Sequence, residues 1–165
     1  AIEKNIEAFL KLDLPGSKVV VGGGPDLERL KKKYPSAHFT GYKRDDELAR
    51  HVAAADVFVF PSLTDTFGLV VIEALASGVP VAAFPVQGPI DIIENGVTGY
   101  VDENLRTAAL SALEVDPLRC REEALKYTWE ACTRQFLGHV EAARAVPAGT
   151  EHGMAATAAR SAGVR

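Results

Sequence analysis

Several things are scarce in this chain, and each scarcity removes a class of protein. Only two cysteines occur in 165 residues, Cys120 and Cys132. Their spacing fits neither a zinc site nor a redox pair, so plain reduced thiols on C-terminal helices are expected. The four histidines, His38, His51, His139 and His152, are scattered and lack metal-like neighbours, which favours surface or packing roles. No apolar run reaches about 18 residues, so no membrane-spanning helix is expected. The stretch AIEKNIEAFLKL lacks the basic, apolar and small-residue order of a secretory leader. Basic residues are not in excess: 18 Lys and Arg stand against 22 Asp and Glu, a formal net charge of -4, so no nucleic-acid partner is expected. No internal repeat is visible.

What is present suits one compact domain with a real core, 47% hydrophobic and 24% charged. Apolar Ile2, Ile6, Phe9 and Leu10 predict a helix over 2–12, broken by Pro15-Gly16. Val19–Val21 reads as a buried strand ending in Gly22-Gly23-Gly24, with Pro25 opening a helix to about Lys33. His38–Thr40 reads as a second strand, closed by Gly41. Asp45 or Asp46 can cap a helix to about Ala54. Val57–Phe60 is wholly apolar and predicts a strand buried on both faces. A helix from about Phe67 stops at Gly78, a favoured residue just past a helix end. Val81–Phe84 is the next strand, Pro89–Glu94 a short helix, and Tyr100-Val101 a brief strand after turn chemistry.

From Leu105 onward the pattern is helical. Residues 146–165, rich in Ala and Gly without apolar period, predict a disordered tail, which leaves 1–145 as the folded domain. Alternation of short apolar strands with helices predicts an α/β fold, a doubly wound, Rossmann-like parallel sheet. Ligands on such sheets bind beyond the carboxyl ends of the strands. The segments 22–24, 41–43, 61–68 and 85–89 all follow strands and are expected to line one edge.

The junction Asp65-Thr66-Phe67-Gly68-Leu69 is the strongest chemical candidate. The first amides of a helix have no internal partners and carry partial positive charge, which favours phosphate. Gly68 has no side chain to obstruct a ligand. Glu73 lies about one and a half turns further on, at ~1.5 Å per residue, where a carboxylate can accept from vicinal hydroxyls such as those of ribose. The residues alone leave two readings open: a site for a sugar nucleotide, or a loop acid at Asp65 and a solvent-facing helix acid at Glu73.

PSLTDTFGLVVIEALASGVPV resembles the signature of the GT-B glycosyltransferases of the large retaining family 4, also called group 1. Asp65 and Glu73 have that family's spacing of eight between two acids. Glu3-Lys4-Asn5, VVVGGGP, FTGY, ELARHVAAADVFVFPS, NGVTGYV and the region Tyr127-Thr128-Trp129-Glu130 fit in order, so the resemblance covers about residues 2–140. It implies the donor-binding C-terminal half of a two-domain hexosyltransferase, whose N-terminal acceptor domain is not in this chain. By that resemblance, Asp65 and Glu73 are the catalytic pair, Asp65 touching the transferred sugar and Glu73 the ribose. Lys4 is expected at the diphosphate, with Thr66, Phe67, Gly68 and Leu69 beside sugar and diphosphate. Gly22, Gly24, Gly41 and Tyr42 are expected around the nucleotide. Asp65 departs from the family's usual Glu by one methylene, and the family's Gly-Arg partner for Lys4 would lie just before Ala1.

The resemblance further implies retention of the α-anomer, no cofactor, and a cytoplasmic protein, with a peripheral place at the inner membrane face left open. Asp-x-Asp, the metal-holding pair of many other glycosyltransferases, is absent, and Lys4 with the helix N-terminus can stabilise a leaving diphosphate; no metal is expected. GDP-mannose is the first expected donor and a UDP-hexose the next. The acceptor is left open among lipid, glycan and small molecule. Two other readings compete. A dinucleotide-dependent oxidoreductase would need Gly-x-Gly-x-x-Gly, but Leu27 stands where the third Gly belongs. A non-catalytic scaffold could share the fold, because fold alone does not fix function.

Overall fold

The structure is a computed structural model, and it describes residues 2–145. The expected tail at 146–165 lies outside the described residues. Two units are distinguished, one up to Tyr127 and one from Thr128 onward.

The first unit holds five short parallel strands. β1 (Val19–Val21) pairs with β2 (His38–Gly41), in register at Val19 opposite His38 and slipping by one residue after Val20. β3 (Phe58–Phe60), β4 (Val81–Ala83) and β5 (Gly99–Val101) form a second sheet in the order β3-β4-β5, without slippage. The parallel α/β class is as the sequence predicts. However, its strands form two sheets, and β1 and β3 are not hydrogen-bonded to each other. This explains why Phe58 and Val59, expected to be buried on both faces, are only half-buried: β3 has one free edge.

The helices are α1 (Ile6–Lys11), α2 (Leu27–Lys33), α3 (Asp45–Ala53), α4 (Leu69–Ala76), α5 (Pro89–Ile92), α6 (Leu105–Ala112) and α7 (Pro117–Ala124). Three expected helix starts are corrected. The segment 2–12 is not one helix: a 3-10 turn (Ile2–Lys4) precedes α1, and Asn5 between them takes a left-handed conformation, which Asn tolerates better than other side chains. Pro25 lies in a turn before α2, which begins after Asp26. Neither Asp45 nor Asp46 caps α3; Arg44 holds that position with no side-chain bond. By contrast, Asn104 accepts from the N–H groups of Arg106 and Thr107 at the start of α6, and Asp116 caps α7 through Leu118 N–H.

The core sits around β4. Val71, Ala74 and Leu75 form one stripe of α4 at helical spacing and are sealed against β4 and α7. On the other side, Ala82 meets Ala108, Ala109 and Ala112 of α6, small residue against small residue, so helix and sheet approach closely. Gly99 marks the tightest point. A Cβ there would lie 1.9 Å from the Val81 carbonyl oxygen, so only glycine fits. At the opposite end, Glu7 of α1 accepts from Arg29 at 3.1 Å and Tyr34 at 3.0 Å and pairs with Lys33, fastening α1 beside α2. The Lys33, Arg29 and Tyr34 bonds hold its carboxyl down at about 2.

Among the described residues, the second unit is one helix, α8 (Trp129–Ala145), whose first turn is capped where Thr128 Oγ1 accepts from Ala131 N–H at 3.0 Å. Trp129 and Phe136 are exposed. Among the described residues, no helix is long and apolar enough to cross a membrane.

Candidate functional site

The loop that leaves β3 organises the site. Pro61 and Ser62 are buried, and Ser62 Oγ lies 3.1 Å from the Glu3 carbonyl and 2.8 Å from that of Thr64. Leu63 N–H also donates to the Glu3 carbonyl. These bonds pin the 3-10 turn onto the loop and so deliver Lys4. Its ammonium stands 3.5 Å from Asp65 Oδ2 and 5.7 Å from the centre of the Phe60 ring. Two parts of the chain 61 residues apart therefore meet at the carboxyl edge of β3.

Asp65 faces the start of α4. Its Oδ1 accepts from Phe67 N–H at 3.0 Å and Gly68 N–H at 2.7 Å. Partial burial pushes the Asp65 carboxyl up, but the two backbone donors and Lys4 outweigh it and leave it below its ordinary value. Two of the amides expected to receive a phosphate thus already hold a carboxylate. Among the described residues, the N–H groups of Leu69 and Val70 make no hydrogen bond, so the helix N-terminus retains two free donors. Thr66, Phe67 and Leu69 are exposed around them.

Behind the loop, backbone presses on backbone. A Cβ on Gly88 would meet the Phe67 carbonyl carbon at 3.0 Å and its oxygen at 3.2 Å. The loop after β4 thus supports the site loop from behind, and Gly88 was not among the expected site residues. Neither were Ser62 and Asn5, which position Lys4. A left-handed Asn between two helical segments and a small hydroxyl residue directly after an apolar strand are the signals that could have found them.

Glu73 lies four residues beyond Leu69, about 6 Å along α4 at ~1.5 Å per residue. It is exposed, on the face opposite the buried stripe, and its carboxylate makes no hydrogen bond or ion pair among the described residues. It is therefore available to a ligand.

Lys4, Gly22, Gly24 and Tyr42 come together along a groove of about 460 Å³. Tyr42 donates to the Gly23 carbonyl at 2.9 Å and leaves most of its ring in solvent. Gly41 does not line the groove; its carbonyl accepts from Gly22 N–H at 2.8 Å and ties the two loops together. Asp65 joins this group through Lys4, whereas residues 66–69 and Glu73 lie outside the groove lining. Among the described residues, no cluster of three or more His, Cys, Asp or Glu could hold a metal ion.

A family profile described as "Glycosyl transferases group 1" matches residues 4–114. A sulfoquinovosyl transferase of Arabidopsis thaliana is 38% identical over 155 residues, covering 82% of this chain and 30% of its own length. A GDP-mannose-dependent alpha-mannosyltransferase of Corynebacterium glutamicum is 39% identical over 152 residues, covering 84% of this chain and 37% of its own length. Among solved structures, the sucrose-phosphate synthase of Thermosynechococcus elongatus superposes with a TM-score of 0.64 at 28% identity, covering 86% of this chain and 42% of the other. This chain thus spans 30–42% of the length of these three proteins.

Proposed function

Because the chain belongs to the group 1 glycosyltransferases, we propose that it is the donor-binding part of a retaining hexosyltransferase that uses a nucleoside-diphosphate sugar. The observation that carries this reading is the convergence of Lys4, Asp65 and the α4 N-terminus at one sheet edge, with the unpartnered Glu73 about a turn away. A sugar nucleotide offers matching chemistry in the same order: sugar hydroxyls, a diphosphate and a ribose.

In the proposed complex, the diphosphate takes the free N–H groups of Leu69 and Val70 and draws Lys4 from Asp65. The Asp65 carboxylate then accepts from hydroxyls of the transferred hexose. Glu73 accepts from both ribose hydroxyls, at roughly 1.5–3 kcal/mol for each such charged bond. Gly22, Gly24 and Tyr42 border the nucleoside. Charge growing on the leaving diphosphate is stabilised by Lys4 and the helix N-terminus, the kind of preorganised electrostatics that carries phosphate-leaving chemistry. Attack from the same face keeps the α-anomer, and the acceptor's choice lies with the rest of the protein. GDP-mannose is the first donor to try, on the strength of the mannosyltransferase relative.

Thermal denaturation with millimolar GDP, UDP, GDP-mannose, UDP-glucose and NAD tests the reading. A rise in Tm with a nucleoside diphosphate but not with NAD is expected. A rise with NAD alone would overturn it, and so would indifference to all five.

A further inference from the structure

Asp65 divides its two carboxylate oxygens between two tasks. An ionised carboxylate accepts about four hydrogen bonds, two at each oxygen. At Oδ1 both places are taken, by the N–H groups of Phe67 and Gly68. Bonds to amides two and three residues on suit a carboxyl one carbon from the backbone, so the short Asp side chain binds its own loop. Among the described residues, Oδ2 holds only the Lys4 ammonium, at 3.5 Å, and Lys4 pairs with no other acid. The other neighbour of that ammonium is the uncharged ring of Phe60. Cation and acid therefore balance each other, and the Asp65 side chain is just 16% exposed.

Resting on the donor-binding reading above, we propose that Asp65 and Lys4 distinguish an intact sugar nucleotide from the spent nucleoside diphosphate. A free diphosphate that draws Lys4 away leaves the Asp65 carboxylate unpaired, short of water and facing new negative charge. Like charges beside a largely covered group repel strongly. An intact donor draws the same ammonium, but its hexose hydroxyls then donate to Oδ2, where both places are open once Lys4 has gone. In that case the ion pair is exchanged for charge-assisted bonds; with the free diphosphate it is only broken. Once the hexose has been transferred, Oδ2 loses those hydroxyls, Lys4 returns and the diphosphate is pushed out. Asp65 thus acts as a resident competitor of the diphosphate, a role distinct from its contact with the sugar.

Calorimetric titration of the whole protein and its Asp65→Asn variant with GDP, GDP-mannose, UDP and UDP-glucose tests this. Asn keeps a carbonyl oxygen for the Phe67 and Gly68 N–H groups, so the loop is held while the charge is removed. The variant is expected to bind the preferred nucleoside diphosphate about 10-fold more tightly than the wild type, because the competing charge is gone. Its affinity for the matching sugar nucleotide is expected to hold or fall. Diphosphate affinity that is unchanged or weaker would overturn this inference and leave the donor-binding reading standing. So would a sugar nucleotide that tightens as much as the diphosphate, which would be a general effect of charge. A wild-type protein that binds none of the four overturns the donor-binding reading itself, and this inference with it. Should Asn unsettle the loop, Asp65→Ser keeps an oxygen for the same amides and must give the same signs.

Discussion

In the β3-β4-β5 sheet, Val81, Ala82 and Ala83 are sealed from solvent, whereas in the β1-β2 sheet Val19 is nearly half exposed and its neighbours only partly covered. Both sheets are parallel and made of short apolar strands. They differ in their surroundings: β4 has a strand on each side and helices on both faces, while β1 has one strand neighbour and an open groove. Close packing is concentrated on the β4 side, and the candidate site draws on both halves. The loop after β3 and helix α4 come from the dense half, and Gly22, Gly24 and Tyr42 come from the open half.

The sharpest way to break this comparison is Gly99→Ala. A methyl group cannot coexist with the Val81 carbonyl at 1.9 Å, so β4 and β5 must separate. A loss of about 4 kcal/mol or more in urea denaturation is expected, the range reserved for disrupted cores. A loss under about 1 kcal/mol would show the β4-β5 contact to be pliant.

Next in size is a matched pair of truncations. Leu75→Ala in the sealed stripe should cost about 2–5 kcal/mol, and Val20→Ala on the open groove about 1 kcal/mol or less in this chain. Equal losses would erase the distinction between the halves.

Asp65→Asn should cost about 1 kcal/mol by weakening the two bonds that hold the turn before α4. The pH dependence follows from the lowered carboxyl. The folded state binds this proton less readily than the unfolded one. Its contribution is therefore complete above the ordinary carboxylate value near ~4 and is lost as pH falls through the lower folded value. Urea midpoints of the two proteins should converge as the pH drops below about 4.

The smallest effect on stability, and the most direct on ligand, is expected from Glu73→Gln. Stability should stay within about 0.5 kcal/mol, because the side chain is exposed and makes no bond among the described residues. Nucleotide affinity should fall about 10-fold, the equivalent of one charged hydrogen bond of roughly 1.5 kcal/mol. Unchanged affinity by calorimetry would remove Glu73 from the proposed site.

Strand positions were legible because β-branched and aromatic runs such as Val19–Val21 and Phe58–Phe60 sit between glycines, prolines and polar turns, a purely local signal. Helix starts were less legible. Asn5 turns left-handed inside the expected first helix, α2 begins after Asp26 and not at Pro25, and Arg44 stands where Asp45 or Asp46 was expected to cap α3. The split between β1 and β3 could not be read at all, because strand adjacency is a non-local property. The same limit applied to the site. That Asp65 precedes a helix is written in the residues next to it. That Lys4 belongs to the same site came only from the family resemblance, and its ion pair with Asp65 across 61 residues, with the bonds from Ser62 and Leu63 to Glu3 that bring this about, came only from the structure.

The contact between Gly88 and Phe67 gives the site a fixed wall and a movable one. Behind Phe67 and Gly68 there is no slack, so the loop cannot recoil when something large and charged arrives in front of it. Accommodation falls to the opposite side, where the Lys4 side chain is tied to Asp65 by a single long ion pair. Engineering a different ligand into this protein therefore means altering the turn at residues 2–5, since changes to the loop at 85–88 would move the wall and everything built against it.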